Sequence, residues 1–315
     1  MEAISGETFH GFGTTVGAWA THPGLVTRLD RFMRTWVETV EAACSRFRED
    51  SDISRANAAA GRPVRVSPTL LEAADAAVAM AELTGGLCDP TVGEGVINAG
   101  YDRTFEAIVA DGPGPEGPVR GGGAWRRVEV DHHAQTITVP AGYRLDLGGS
   151  AKGWAVDSAL ATLERSILAE NPDAGICVSA GGDLGVAGRA PATGWPVTVR
   201  ERLDGEDQGT EVFLARGAVA TSGATARRWR RGEVTGHHII DPRSGRPGSS
   251  RWSLVTVFSE SCLLADVAAT TAWLLDGEAE AWLGDQRLGA RLVDDRGATT
   301  MVGDLGTWLT GAILA

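Results

Sequence analysis

Along residues 26–48 the apolar positions Val26, Leu29, Met33, Trp36, Val40, Ala43 and Phe47 recur at steps of three and four, which predicts one amphipathic helix over that whole stretch. A second helix is predicted from Ser67 and Pro68, a cap followed by proline at the first helical position, through LLEAADAAVAMAELT to a stop at Gly85 and Gly86. The Gly/Pro-rich run over 111–123 reads as an exposed connector without chemistry. After it, WRRVEVDHHAQTITVP alternates apolar and polar residues on both sides of a polar centre, a hairpin whose turn holds His132 and His133. A helix over 150–168 follows. Short strands are predicted at AGICVSA, WPVTVR, EVFLA, AVATSG and WSLVTVF, then a helix in ESCLLADVAATTAWLLDG ending at Gly277, and closing strands in ARLVDD and TTMVG. Hairpin-like pairs mixed with helices, without a steady strand–helix alternation, predict an α+β fold with mixed, largely antiparallel sheets flanked by helices.

Composition narrows the function classes. The 315 residues suit one large domain or two intimate lobes, and no apolar run approaches the ~20 residues that span a bilayer. A formal net charge of −12 argues against nucleic acid and anionic membrane as partners, because both reward a basic footprint. An anionic ligand therefore needs local help from a metal, a helix N-terminus or a few placed cations. The four cysteines form no CxxC pair, which speaks for single thiols rather than a zinc or dithiol site. The first residues, MEAISGETFHGFGTT, show no signal-peptide pattern, so the expected location is cytoplasmic.

Lys152 is the single lysine of the chain; every other Lys/Arg position is arginine. It stands in RLDLGGSAKGWAVD (144–157), a short strand running into glycines and then a helix, an arrangement that offers free N–H groups and a helix dipole to a phosphate. The residue fits either a solvated helix position or a compact point charge placed where a planar guanidinium does not fit. The spacing is not that of a P-loop, and neither GxSxG nor a strand-following GxGxxG occurs, so nucleotide binding of those types and serine-hydrolase chemistry are excluded. Asp266 and Thr270 form an i, i+4 pair in an otherwise apolar helix, compatible with local capping and back-bonding or with oxygen ligation of Mg²⁺. In TGHHIIDPRSGRP, His238 and Asp241 suit a general base and its orienting group, and the Asp-Pro turn is equally good loop chemistry. TSG (221–223) and SAGGDLGVAG (179–188) read as small-residue turns that admit close backbone approach to a ligand.

In order along the chain, HGFGTTV, CSRFREDSDISRAN, TGGLCDPTVG, RLDLGGSAKGWAVD, SAGGDLGVAG, AVATSG, HHIIDPRSGRP and VTVFSESCLLADVAATTAWLLDG together resemble the FAD:protein FMN transferase family, the ApbE-type flavin transferases. The resemblance implies an α+β fold and an enzyme that cleaves its substrate FAD and attaches the FMN half through a phosphoester to a Thr or Ser hydroxyl of an acceptor protein, with Mg²⁺ and loss of AMP. It implies one flavin transferase domain over 1–315, with the FAD site between its lobes. By position it assigns FAD contacts to Phe12, Phe47, Leu87, Cys88, Asp89, Asp146, Lys152 and Ile240. Mg²⁺ ligation falls to Gly149, Asp266, Ala269 and Thr270, and activation of the acceptor hydroxyl to His238. Two departures stand out: VINAGYD places Ala99 and Tyr101 where the family has an Asn-x-Trp-Gly-Phe-like run, and Ala224 and Thr225 follow TSG in place of an acidic residue and an aromatic. FAD hydrolysis to FMN and AMP, or flavin binding without turnover, are the alternative activities.

Overall fold

The computed structural model describes residues 4–108, 120–200, 209–225, 227–231 and 234–310. Most of the connector anticipated over 111–123 lies outside them. The chain divides into two compact units. The first comprises Met1–Glu38, Lys152–Gly223 and Ser250–Ala315, and the second Thr39–Ala151 and Ala224–Ser249.

The first unit is built on an eight-stranded sheet in the order Ser5–Gly11, Thr14–Ala20, Gly175–Ala180, Asp183–Gly188, Ala218–Ser222, Trp252–Ser259, Gly289–Asp294 and Thr299–Val302. Every neighbouring pair is antiparallel. Alternate residues serve opposite faces, as the two-residue period of a strand requires. Val16, Ala18, Ala20, Ile176 and Val178 join one core with Leu29, Met33 and Val37 and with Val156, Ala159, Leu160 and Leu163. Cys177, Leu184, Val219 and Phe258 join a second core with a small sheet of Trp195–Val199, Thr210–Leu214 and Leu309–Thr310. The helix Cys262–Leu275 runs against Ala218–Ser222 and Trp252–Ser259. Antiparallel sheets with helices packed on them make the fold α+β.

The second unit holds the helices Asp52–Ala58, Pro68–Leu83 and Gly93–Asn98, a three-stranded antiparallel sheet of Val64–Arg65, Thr136–Thr138 and Glu129–Asp131, and the hairpins Arg228–Arg231/Val234–His237 and Ile240–Asp241/Arg246–Pro247. Ser67 caps Pro68–Leu83 by accepting from Leu70 N at 3.4 Å, as its sequence signature predicts. His132 and His133 fall in the turn between Glu129–Asp131 and Thr136–Thr138, where His132 Nε2 meets Asp75 Oδ2 at 2.5 Å.

Three elements differ from the sequence expectation. The first helix spans Val26–Cys44 and stops short of Phe47. Ser51 Oγ donates to the carbonyls of Ser45 (2.7 Å) and Arg48 (2.9 Å) and accepts from Ser54 N (3.2 Å), so the chain turns there to start Asp52–Ala58. The helix over 150–168 is α only through Leu163 and continues as a π-helical turn, Glu164–Leu168. SAGGDLGVAG is a turn only at Gly181 and Gly182; Asp183–Gly188 is a full strand of the main sheet.

Candidate functional site

Within the first unit, Asp266 lies one turn into Cys262–Leu275 and is 5 % exposed. The Lys152 ammonium contacts Asp183 Oδ2 and lies 3.6 Å from Asp266 Oδ2. Two buried carboxylates thus flank one ammonium, and when both are ionised one negative charge is left over. Burial pushes the Asp266 carboxyl up to about 7, against the pull of the Lys152 charge, and the neighbouring Asp183 charge adds to the rise. Thr270, four residues on, exchanges a 2.8 Å hydroxyl hydrogen bond with Ser222 of the TSG turn. Ala269, expected to ligate through its main chain, has a fully buried side chain.

Two devices fix the helix that carries Asp266. The Asp157 carboxylate accepts from Cys262 N at 2.7 Å and Leu263 N at 2.9 Å, satisfying N–H groups at the first turn that have no partner inside the helix. Burial raises the Asp157 carboxyl above its ordinary value, and the backbone bonds from Leu263 and Cys262 oppose that rise. Gly153 lets the helix Ala151–Leu163 approach closely: a Cβ there would lie 2.7 Å from Leu263 Cα and 2.8 Å from Cys262 O. Gly153 N donates to Asp266 Oδ2 at 3.4 Å, and Ala151 N donates to Leu147 O at 2.7 Å. These two N–H groups of the helix N-terminus are engaged within the protein. Positive charge at this end comes from Lys152 instead.

Phe12, also in the first unit, sits in the turn between Ser5–Gly11 and Thr14–Ala20 at φ 56°, a left-handed conformation uncommon for a side chain of its size, and packs against the first core.

The second unit gathers other expected residues. Asp146 Oδ1 accepts from Gly148 N at 2.7 Å, and its Oδ2 pairs with Arg46 Nε at 2.7 Å with both side chains about one-tenth exposed. The Arg46 guanidinium lies over the rings of Phe47 (4.1 Å) and Tyr101 (4.6 Å). Phe47, Tyr101 and Trp229 follow one another at centroid spacings of 5.3 and 5.1 Å, and Ile240 packs in the cluster of Tyr101 and Trp229. Phe47 is among the exposed large apolar side chains, so this aromatic row ends in a ring that solvent reaches. Tyr101, a departure from the family pattern, is therefore an integral member of the row. Leu87 is half-buried, and the thiol of Cys88 lies 3.5 Å from the carbonyl of Gly149. The Asp89 carboxylate accepts from Thr91 N (2.7 Å) and Thr91 Oγ1 (2.6 Å) within its own loop and from Gly123 N of a distant segment.

His238 occupies the bend before Ile240–Asp241, half-buried. Its neighbour His237 has a fixed tautomer: Nδ1 accepts from Ile239 N at 3.3 Å, so Nε2–H donates to Gly248 O at 3.0 Å. Burial lowers the His237 pKa, and the imidazole is neutral. Asp241 holds Arg243 through both carboxylate oxygens, at 2.9 Å to Nε and 2.9 Å to Nη2. That bond gives Asp241 the turn-forming role that its Asp-Pro context allows.

Sequence reasoning missed Asp183, Asp157, Arg46 and Ser222. The first stands in a segment read only as a turn, and a lone acid after two glycines at the start of a strand was the signal available. Arg46 was available inside CSRFREDSDISRAN.

Among the described residues no group of three or more His, Cys, Asp or Glu gathers to hold a metal. A buried carboxylate with a surplus charge and a nearby hydroxyl on the same helix instead form a sparse set of hard oxygens, which fits a Mg²⁺ ion that keeps water or substrate phosphate among its ligands. Among the same residues, no helix is long and apolar enough to cross a membrane.

Known proteins are similar to this chain in sequence and in fold. FAD:protein FMN transferase of Vibrio cholerae is 28% identical over 287 residues, covering 86% of this chain and 83% of that protein. The protein of the same name from Treponema pallidum is 31% identical over 268 residues, 78% of this chain and 70% of that protein. The crystal structure of the ApbE protein from Thermotoga maritima superposes with a TM-score of 0.82 at 24% identity, over 98% of this chain and 100% of that one. The flavin transferase ApbE structure from Vibrio cholerae does so at 0.72, with 24% identity over 98% and 99%. The sequence pattern of the ApbE family matches residues 12–292, from the Phe12 turn through the Asp266 helix to the strand Gly289–Asp294. With the family pattern, the relatives and the fold in agreement over nearly its whole length, the chain belongs to the ApbE family.

Proposed function

We propose that this protein transfers the FMN moiety of FAD to a Thr or Ser hydroxyl of an acceptor protein, with Mg²⁺ and with AMP as the leaving group. The name shared by its relatives supports flavin transfer from FAD to protein. The observation that carries the finer reading is the buried Asp183–Lys152–Asp266 group, with its surplus negative charge beside the Thr270 hydroxyl. Asp266 and Thr270 would hold the metal, which would supply Lewis-acid neutralisation of the phosphate oxygens.

The acceptor oxygen attacks the phosphorus on the FMN side of the pyrophosphate. The bond from that phosphorus to the bridging oxygen breaks, and AMP leaves with the bridging oxygen and its electron pair. His238 takes the hydroxyl proton through its imidazole, whose ordinary pKa suits that exchange near neutral pH. Lys152 places its ammonium against the nucleotide's phosphate charge. Phe47, backed by Tyr101, offers a ring face for stacking, and Asp146, fixed by Arg46, offers a carboxylate oxygen as a hydrogen-bond acceptor.

Incubation with FAD, Mg²⁺ and candidate acceptor domains, followed by mass spectrometry, tests the reading. The expected result is an acceptor heavier by FMN, with one AMP released per flavin attached. AMP appearing at full rate without any acceptor would establish a hydrolase, and FAD binding without AMP a flavin carrier.

A further inference from the structure

Asp183 begins its strand immediately after Gly181 and Gly182, at φ 68° and 95°, and pairs in register with Ala180 across the tight turn. That turn aims a carboxylate only 4% exposed at the Lys152 ammonium. Asp266 Oδ2 is 3.6 Å from the same nitrogen, beyond a direct hydrogen bond. Asp157 and Cys262 are further ionisable groups of this neighbourhood among the described residues; Asp157 is bound to backbone N–H groups, and burial raises the Cys262 thiol well above its ordinary value, keeping it protonated.

The geometry points to Asp183 as a positioning residue that holds the Lys152 ammonium off Asp266, keeping the Asp266 oxygens open to a divalent cation. Buried opposite charges attract strongly, and an ammonium released from Asp183 closes the remaining gap to Asp266 and competes with the cation for the same oxygens. With Asp183 in place, lysine and metal occupy different carboxylates, and both positive charges are present when a pyrophosphate arrives. The inference rests on the proposed placement of the metal at Asp266.

Mn²⁺ binding to the full chain without FAD, followed by electron paramagnetic resonance of the free ion, tests it in four proteins: natural, Lys152→Met, Asp183→Asn and the double variant. Removing the ammonium is expected to tighten Mn²⁺ binding at least about tenfold more in the Asp183→Asn background than in the natural one, because only there does it sit on Asp266. An equal gain in both backgrounds overturns the positioning role while leaving the metal site intact. Natural protein that does not bind Mn²⁺ overturns the metal site and this inference with it.

A second measurement covers the case in which Asp183→Asn does not fold. Because the chain has a single lysine, acylation by an amine-directed reagent, read by mass spectrometry on the peptide that holds Lys152, reports on that one ammonium apart from the N-terminal amine. Mn²⁺ is expected to leave that rate within about twofold, since Asp183 retains the ammonium when the metal enters. A rise of about tenfold on adding Mn²⁺ would show an ammonium held by Asp266 and displaced by the metal, and would overturn the assignment.

Discussion

Gly153→Ala adds one methyl group between two helices that already touch. Its Cβ would stand 2.7 Å from Leu263 Cα, 2.8 Å from Cys262 O and 2.9 Å from Leu263 N, all of them backbone atoms that no rotamer change can move. Ordinary carbon contacts begin near ~3.5 Å, so the helices Ala151–Leu163 and Cys262–Leu275 must part by roughly 0.8 Å. Overpacking of this kind costs up to about 3 kcal/mol, and alanine's better helix propensity returns about 1 kcal/mol, leaving a net loss of about 2 kcal/mol. For a chain of this size that lowers Tm by about 4 °C. The shift also falls on the carboxylate that Gly153 N contacts, Asp266, and a misplacement approaching 1 Å at a reacting group costs up to about a hundredfold in rate. Circular-dichroism melts with a parallel AMP-release assay measure both quantities. Gly284→Ala is the control, because that glycine lies in Ala279–Asp285 where an added Cβ would meet nothing within 4 Å, and it should be neutral or slightly stabilising. Gly153→Ala that melts with the control and keeps its kcat would refute the close-contact argument.

Three further outcomes follow from the same cluster. Asp157→Asn leaves one N–H at the start of Cys262–Leu275 without its carboxylate oxygen and should cost about 1–3 kcal/mol in a denaturant titration. Because burial raises the Asp157 pKa, the folded chain holds this proton more tightly than the unfolded one; the natural protein should gain stability over the variant as pH falls through that raised value, and a constant difference would count against it. Asp266 must be ionised to bind a cation, so Mn²⁺ affinity should fall about tenfold per pH unit below about 7, whereas Asp266→Ala should abolish metal-dependent AMP release; pH-independent affinity would argue against ligation there. Lys152→Arg should raise the KM for FAD more than it lowers kcat, since a planar fork replaces a compact charge held between two carboxylates; unchanged kinetics would remove Lys152 from the site.

Local patterns made much of this readable. The apolar run around Asp266 and Thr270, the SPT cap of Pro68–Leu83 and the alternation around His132 each depend on neighbours a few residues apart, and each element formed where its pattern stands. Phe47 kept the helical spacing of the first helix yet lies beyond its end, because periodicity does not register the competing carbonyl partners that Ser51 provides. The N-terminal hairpin, Ser5–Gly11 with Thr14–Ala20, went unread: Gly6, Gly11 and Gly17 interrupt its apolar alternation, and Trp19 fills the space over Gly6 and Gly17. Asp183 was illegible for a different reason. It reaches Lys152 across 31 positions, from the first residue of a strand to the first turn of a helix, a contact that no local period encodes.

Two buried carboxylates that share one ammonium also set an order of arrival. With Asp266 ionised, a dinucleotide coming alone brings its pyrophosphate charge to a place that already carries a negative surplus, whereas a divalent ion turns that surplus into a deficit. Under the proposed function, then, the metal enters first or already bound to the nucleotide. FAD added without it meets a gate closed by charge rather than by any moving part.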